Sequence, residues 1–131
     1  MTVEKIDPPS LAPILGSAHI SLAKGDTIVH ISGQTGVDAE GQVVGPTFAE
    51  QATQALRNLA TAIEAAGATP ADVVKLMIYI KDYTPDALDP LVGAAIEVFG
   101  DEYPTTASTL LGVATLWQPD VLIEIDAVAV I

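Results

Sequence analysis

The sequence predicts an α/β fold of the two-layer sandwich kind, and three observations carry the prediction. Thr47 to Lys81 forms one complete helix-then-strand unit with its punctuation in place. A second helical stretch opens at Thr84-Pro85 and closes at Gly100. Short β-prone runs lie on both sides of this pair, the longest being Val121 to Val130. Two helices laid on one face of a mixed sheet bury such a set of elements in two layers.

Taken in order, residues 1–16 hold Pro8, Pro9, Pro13 and Gly16 and read as an extended arm. His19–Ala23 and Thr27–Ser32 are short strands, and Lys24-Gly25-Asp26 between them has the composition of a hairpin turn. Val37 to Val44 reads as a second turn with short flanking strands, ended by Pro46. Thr47 and Glu50 are spaced as a capping box, each side chain placed for the other's backbone N–H. Phe48, Ala52, Ala55, Leu56, Leu59, Ile63 and Ala66 then recur at helical spacing on one face, and Gly67 suits the position after the helix end. Val74, Leu76, Ile78 and Ile80 alternate with Val73, Lys75, Met77 and Tyr79, the period of a strand.

Thr84 is the expected cap of the second helix and Pro85 its first residue, where a missing N–H costs nothing. Leu88, Leu91, Val92, Ala95, Ile96 and Phe99 are its expected apolar face. Thr106–Val113 and Val121–Val130 are the last strands, joined by a loop holding Trp117, Gln118, Pro119 and Asp120. The free face of the sheet carries Val128 and Val130 beside two acids, so it needs a cover, and neighbouring subunits are the expected one.

The chain of 131 residues is long enough for one domain, 1–131, with a core of its own. Half its residues are apolar and 17% charged, more surface than a small monomer hides, which again points to self-association. No apolar run reaches the roughly 18–20 residues of a membrane span, and no basic-then-apolar leader opens the chain, so a cytoplasmic protein is expected. There is no cysteine, and the two histidines, His19 and His30, have no ligand spacing, so no metal site is expected. The five basic residues, Lys5, Lys24, Arg57, Lys75 and Lys81, are scattered in a chain of net charge −12. That balance excludes the cationic patch a nucleic-acid binder needs, and disfavours an anionic membrane.

Glu124 and Asp126 fall on one face of the last strand, two residues apart. Two such carboxylates are either an acid/base pair, each raising the other's pKa, or hydrated residues near a rim. Ser32-Gly33-Gln34 ends a strand at a glycine, where a ligand can approach backbone or the chain can simply turn. Thr105, Thr106, Ser108 and Thr109 offer hydroxyls, but neither histidine sits in a context that would activate them as nucleophiles.

Together these segments resemble the Rid/YjgF family, the reactive intermediate deaminases. The resemblance rests on His30-Ile31-Ser32-Gly33-Gln34, Gln54 to Leu59, Glu64 to Ala68, Asp72 to Lys75 and Ile123 to Val130, in that order and spacing. It implies a chorismate-mutase-like fold and a homotrimer whose sheets face a central barrel, with small-molecule clefts between subunits. It also implies hydrolysis of 2-enamines and 2-imines to 2-ketoacids and ammonia without a cofactor.

Carried over residue by residue, the acid that holds the attacking water matches Glu124, and the glycine backbone of the Ser-Gly-Gln motif matches Gly33, with Ser32 beside it. The arginine that clamps the substrate carboxylate is replaced, by Thr106 after Tyr103-Pro104-Thr105 or by Ser108 counting from the C-terminal side. The tyrosine expected before the first strand is replaced by Ser17 or a neighbour, with His19 close by. No Lys or Arg follows Lys81, and Arg57 is expected on the outer face of its helix. A desolvated arginine–carboxylate pair typically contributes a few kcal/mol, and breaking one costs about 2–5 kcal/mol. The resemblance therefore implies a hydrolase of a small enamine, imine or related substrate whose 2-imino-acid deaminase activity is weak or absent. The alternative is a non-catalytic trimeric module that binds a small molecule or a protein partner.

Overall fold

The computed structural model describes residues 3–131. Its elements are β1 (Val3–Ile6), β2 (Ile20–Ala23), β3 (Ile28–Thr35), α1 (Phe48–Ala65), β4 (Val73–Lys81), α2 (Leu88–Phe99), β5 (Ala107–Val113) and β6 (Ile123–Val130). The main sheet runs β3-β6-β4-β5; β4 and β5 are parallel, and β6 is antiparallel to both its neighbours. α1 and α2 pack side by side on one face, giving the two layers the sequence predicts.

α1 forms where the pattern placed it. Thr47 Oγ1 accepts the Glu50 N–H at 3.2 Å, and Gly67 closes the helix at a left-handed φ of 78° that a side chain would disfavour. The return half of the capping box does not form among the described residues, because the Glu50 carboxylate lies over Gly45 instead. Ala52, Ala55, Leu56, Leu59 and Ile63 are buried against Leu76, Ile78, Ile80, Ile123, Ile125 and Ala127, so the core lies between α1 and the middle of the sheet. Alanines on the helix face let it approach the sheet closely, and the β-branched residues of β4 and β6 fill the space between.

Three expectations are corrected. The expected arm of residues 1–16, whose first two lie outside the described residues, is not merely an arm, since β1 pairs antiparallel with β2. Lys24-Gly25-Asp26 is not a hairpin turn, since β2 and β3 do not pair. The chain instead crosses beneath the end of β6, where the Asp26 and Thr27 N–H groups donate to the Ile131 carbonyl at 2.9 and 2.8 Å. A Cβ on Gly25 would lie 2.7 Å from that oxygen and from Val130 Cγ1, so the glycine serves close approach rather than a turn. The β1–β2 hairpin therefore sits at the β5 edge of the main sheet, where Ala18 bridges Ala107.

The third correction concerns α2. Thr84 makes no side-chain cap bond, and Pro85–Ala87 form a 3₁₀ turn before the α-helix starts at Leu88. Its buried residues are Leu91 and Ala94, whereas Leu88, Val92 and Ile96 of the expected apolar face remain exposed. β5 is the edge strand of the main sheet, and among the described residues no further strand of that sheet extends under that side of the helix. Among the described residues, no helix is long and apolar enough to cross a membrane.

Candidate functional site

The site begins with the period of β6. Ile123, Ile125, Ala127 and Ala129 point into the core, each no more than 2% exposed, so Glu124 and Asp126 share the opposite, open face. Cross-strand pairing sets Glu124 beside Tyr79 of β4 and Thr35 of β3, and Asp126 beside Met77. The Tyr79 hydroxyl donates to Asp126 Oδ2 at 3.0 Å.

Ser32 and Gly33 lie in an irregularity of the β3–β6 register between Ile31 and Gln34. This offset brings the Gly33 backbone against Glu124. A Cβ there would fall 2.6 Å from the carboxyl carbon and 2.8 Å from Cγ, so only glycine lets the carboxylate lie where it does. Ser32 is exposed beside it.

Burial pushes the Glu124 carboxyl above its ordinary pKa of 4.5, and the charge of Asp126 adds to the shift. The Tyr79 hydroxyl is also raised, first by its hydrogen bond to Asp126, then by burial and by the charges of Asp126 and Glu124. Among the described residues no cation pairs with either acid. Lys75 Nζ donates to Thr109 Oγ1 at 3.0 Å and Lys81 Nζ to the Pro119 carbonyl at 2.6 Å. Among the described residues the one ion pair is Arg57 with Glu97, at 3.6 Å on the outer face of the helices.

Glu124 also carries a pH signature. The native carboxyl holds its proton more tightly than the unfolded one, so its contribution to stability is complete below about 4.5 and is lost as the pH rises through the raised native value. Glu124→Gln is expected to flatten that fall. Thermal unfolding of both proteins from about pH 4 to pH 7 checks it, and parallel profiles would show that the carboxyl is unshifted.

Sequence reasoning missed three residues that build this end of the fold. Trp117 is 55% exposed, and its Nε1 donates to Thr35 Oγ1 at 3.3 Å, which brings the indole to the Glu124 end of the open face. Gln51 is 1% exposed: its Nε2 donates to the Gly45 and Asp120 carbonyls at 3.0 and 2.9 Å, and its Oε1 accepts the Leu122 N–H at 2.8 Å. Asn58 Nδ2 donates to the Thr35 and Val37 carbonyls, both at 2.9 Å. Gln51 and Asn58 lie seven residues apart on the inward stripe of α1, and an amide at such a position was the available signal.

The comparisons with known proteins agree on one family. The family model described as Endoribonuclease L-PSP matches residues 17–131. A 2-iminobutanoate/2-iminopropanoate deaminase of Salmonella typhimurium is 38% identical over 106 residues, 79% of this chain and 80% of that protein. The chain belongs to the Rid/YjgF family. A Dermatophagoides farinae protein of the same deaminase name is 31% identical across 100% of this chain and 99% of its own. Among solved structures, a Rid-family protein of unknown function from Yersinia pestis superposes with a TM-score of 0.91 at 32% identity, over the whole of both chains. A YjgF/YER057c/UK114 family member from Mycobacterium tuberculosis gives 0.64 at 25% identity, covering 99% of this chain and 100% of that one.

In this Rid chain the remaining candidate residues part company with Glu124. Thr106 is fully buried, its Oγ1 is 2.6 Å from Ser21 Oγ, and Ser21 Oγ also accepts the Ala107 N–H at 2.9 Å. The β1–β2 hairpin thus seals Thr106 away from any ligand. Ser108 pairs with Leu76, which puts it on the helix side of the sheet, where it shares a cavity with Ser17. His19 is tied into the N-terminal segment: its N–H donates to Asp7 Oδ1 at 2.8 Å, and its Nε2 lies 2.7 Å from the Ala12 carbonyl. Only Ser32 and Gly33 are brought to Glu124. Among the described residues no group of three acidic, histidine or cysteine side chains is placed to hold a metal ion.

Proposed function

We propose that this Rid-family chain is a cofactor-independent hydrolase of small enamines or imines that lack a carboxylate. The observation that carries the proposal is the Glu124 carboxyl laid against the Gly33 backbone, with its pKa raised by burial. In the ionised state such a carboxylate is a stronger base than an exposed one. Glu124 accepts a proton from water as the oxygen bonds to the imine carbon; it then returns the proton to nitrogen, and the carbinolamine releases ammonia and leaves a carbonyl. The Ser32-Gly33 peptide groups and the exposed Trp117 orient the substrate. The working unit is a homotrimer, as the family resemblance implies, and the open face with Met77, Leu111, Val113 and Val128, uncovered among the described residues, suits a contact between subunits.

The choice of an uncharged substrate follows from the electrostatics. Glu124 and Asp126 have no ion-pair partner among the described residues, and both positions that could replace the family's arginine hold hydroxyls turned elsewhere. An anionic imino acid would meet two carboxylates without a counter-charge. The net charge of −12 argues against RNA as substrate in the same way.

The test couples the protein to serine or threonine dehydratase, which forms the 2-imino acid in situ, and repeats the assay with neutral imines. Weak or absent acceleration of ketoacid release is expected in the first arm and ammonia release in the second. Acceleration matching an arginine-bearing relative would overturn the substrate assignment. Silence in both arms would favour the non-catalytic binding module.

A further inference from the structure

We infer that the cavity between α2 and β5 binds a small uncharged molecule, apolar over most of its surface and carrying one hydrogen-bonding carbonyl. The inference stands apart from the Glu124 site, which occupies the other face of the sheet. The cavity has a volume of about 340 Å³, within the range of small-molecule sites. Its floor is core: Ile78 is 6% and Leu91 9% exposed, so it is a recess in the fold rather than a flat patch. Its lip is Leu15, Val92 and Ile96, which are 99%, 54% and 64% exposed.

Charge and hydrogen bonding define the occupant. No Asp, Glu, Lys or Arg lines the cavity, in a chain that carries 22 such residues. A carboxylate or ammonium entering it would lose its water with no partner to replace it. Four hydroxyl-bearing residues line the recess, Ser17, Tyr103, Ser108 and Thr109, and Thr109 Oγ1 is already taken as the acceptor of Lys75 Nζ at 3.0 Å. Ser108 Oγ gives its proton to the Thr106 carbonyl at 2.9 Å and is left as an acceptor. Ser17 and Tyr103 have no side-chain hydrogen-bond partner among the described residues and remain free to donate. Burial pushes the Tyr103 hydroxyl pKa up from an ordinary value at which it is already neutral.

The wall bearing Ser17 is anchored. Gly16 takes a φ of 76°, and the Ala18 N–H donates to the Thr106 carbonyl at 3.0 Å, pinning the loop to the start of β5. A recess with a core floor, an anchored wall and two unspent donors fits a flat apolar body bearing a ketone or amide oxygen.

The probes are 2-acetonaphthone and 2-naphthoate, which match in shape and differ in charge, titrated calorimetrically into the full chain. The ketone is expected to bind, and the carboxylate to bind at least roughly tenfold more weakly. Val92→Trp and Ile96→Trp change exposed lip residues and are expected to weaken the ketone by about tenfold or more while leaving the melting temperature nearly unchanged. Equal affinity for the two probes would overturn the inference, as would affinity insensitive to both lip variants. Failure of the ketone to bind, with either lip variant altering the sedimentation coefficient, would overturn it in favour of a second copy seated on the lip.

Discussion

Gln51→Leu is expected to destabilise the chain by about 2–4 kcal/mol, since each of the part-buried hydrogen bonds it removes contributes roughly 0.5–1.5 kcal/mol. The buried amide makes three of them, to the Gly45 and Asp120 carbonyls and the Leu122 N–H. They belong to the segment entering α1 and to the loop entering β6, separated by more than 70 residues of chain between Gly45 and Asp120. Leucine nearly matches glutamine in volume, so the loss comes from polarity and not from a cavity. Glutamine is therefore the cross-link that holds these two loops beside the Glu124 end of the sheet. Chemical denaturation checks the prediction, and a loss below about 1 kcal/mol would mean that water replaces all three bonds. Gln54→Leu is the natural control: Gln54 bonds only Asn58, at 2.9 Å, and sits on the more exposed side of the helix.

How far the sequence was legible depends on how local each determinant is. α1 and β4 were readable because caps, period and the closing glycine all lie within a few residues of the elements they bound. The pairing of Glu124 with Asp126 on one face was readable for the same reason, from a period of two. The path of residues 24–27 was not. Lys24-Gly25-Asp26 has turn composition, but its glycine is required by contact with Ile131, more than 100 residues away. Thr106 failed in the same manner: its burial depends on Ser21, 85 residues earlier, and nothing in Tyr103-Pro104-Thr105-Thr106 announces that partner.

α2 shows a different limit. The pattern placed Leu88, Val92 and Ile96 on its buried side and passed over Ala94, yet Leu91 and Ala94 are the fully covered residues, because the width of the sheet beneath a helix is a property of strand order. The same circumstance opens the recess that Ser17 and Ser108 line. Two residues chosen as replacements in one site thus fall in another, on the far face of the sheet from Glu124.

Gly33→Ala is expected to lower kcat/KM of the proposed hydrolysis by on the order of 100-fold, the cost of misplacing a reacting group by about 1 Å. The new methyl would occupy the place of the Glu124 carboxylate, 2.6 Å from its carboxyl carbon, so the side chain must swing away from the Gly33 peptide. Overall stability should change little by comparison, because Gly33 is exposed, its φ lies outside the left-handed region, and the displaced group is the far end of a flexible side chain. Glu124→Gln separates position from chemistry. It keeps the side chain's shape against Gly33 but removes the base, so it should lower kcat with KM nearly preserved, whereas Gly33→Ala should alter both. A Gly33→Ala protein with full turnover on neutral imines would remove the Glu124–Gly33 contact from the mechanism, even if Glu124→Gln were inactive. A Glu124→Gln protein with full turnover would remove the carboxylate itself. Asp126 acts on the same carboxyl: its negative charge helps raise the Glu124 pKa, so Asp126→Asn should move the acid limb of the pH–rate profile downward while leaving the Gly33 geometry intact.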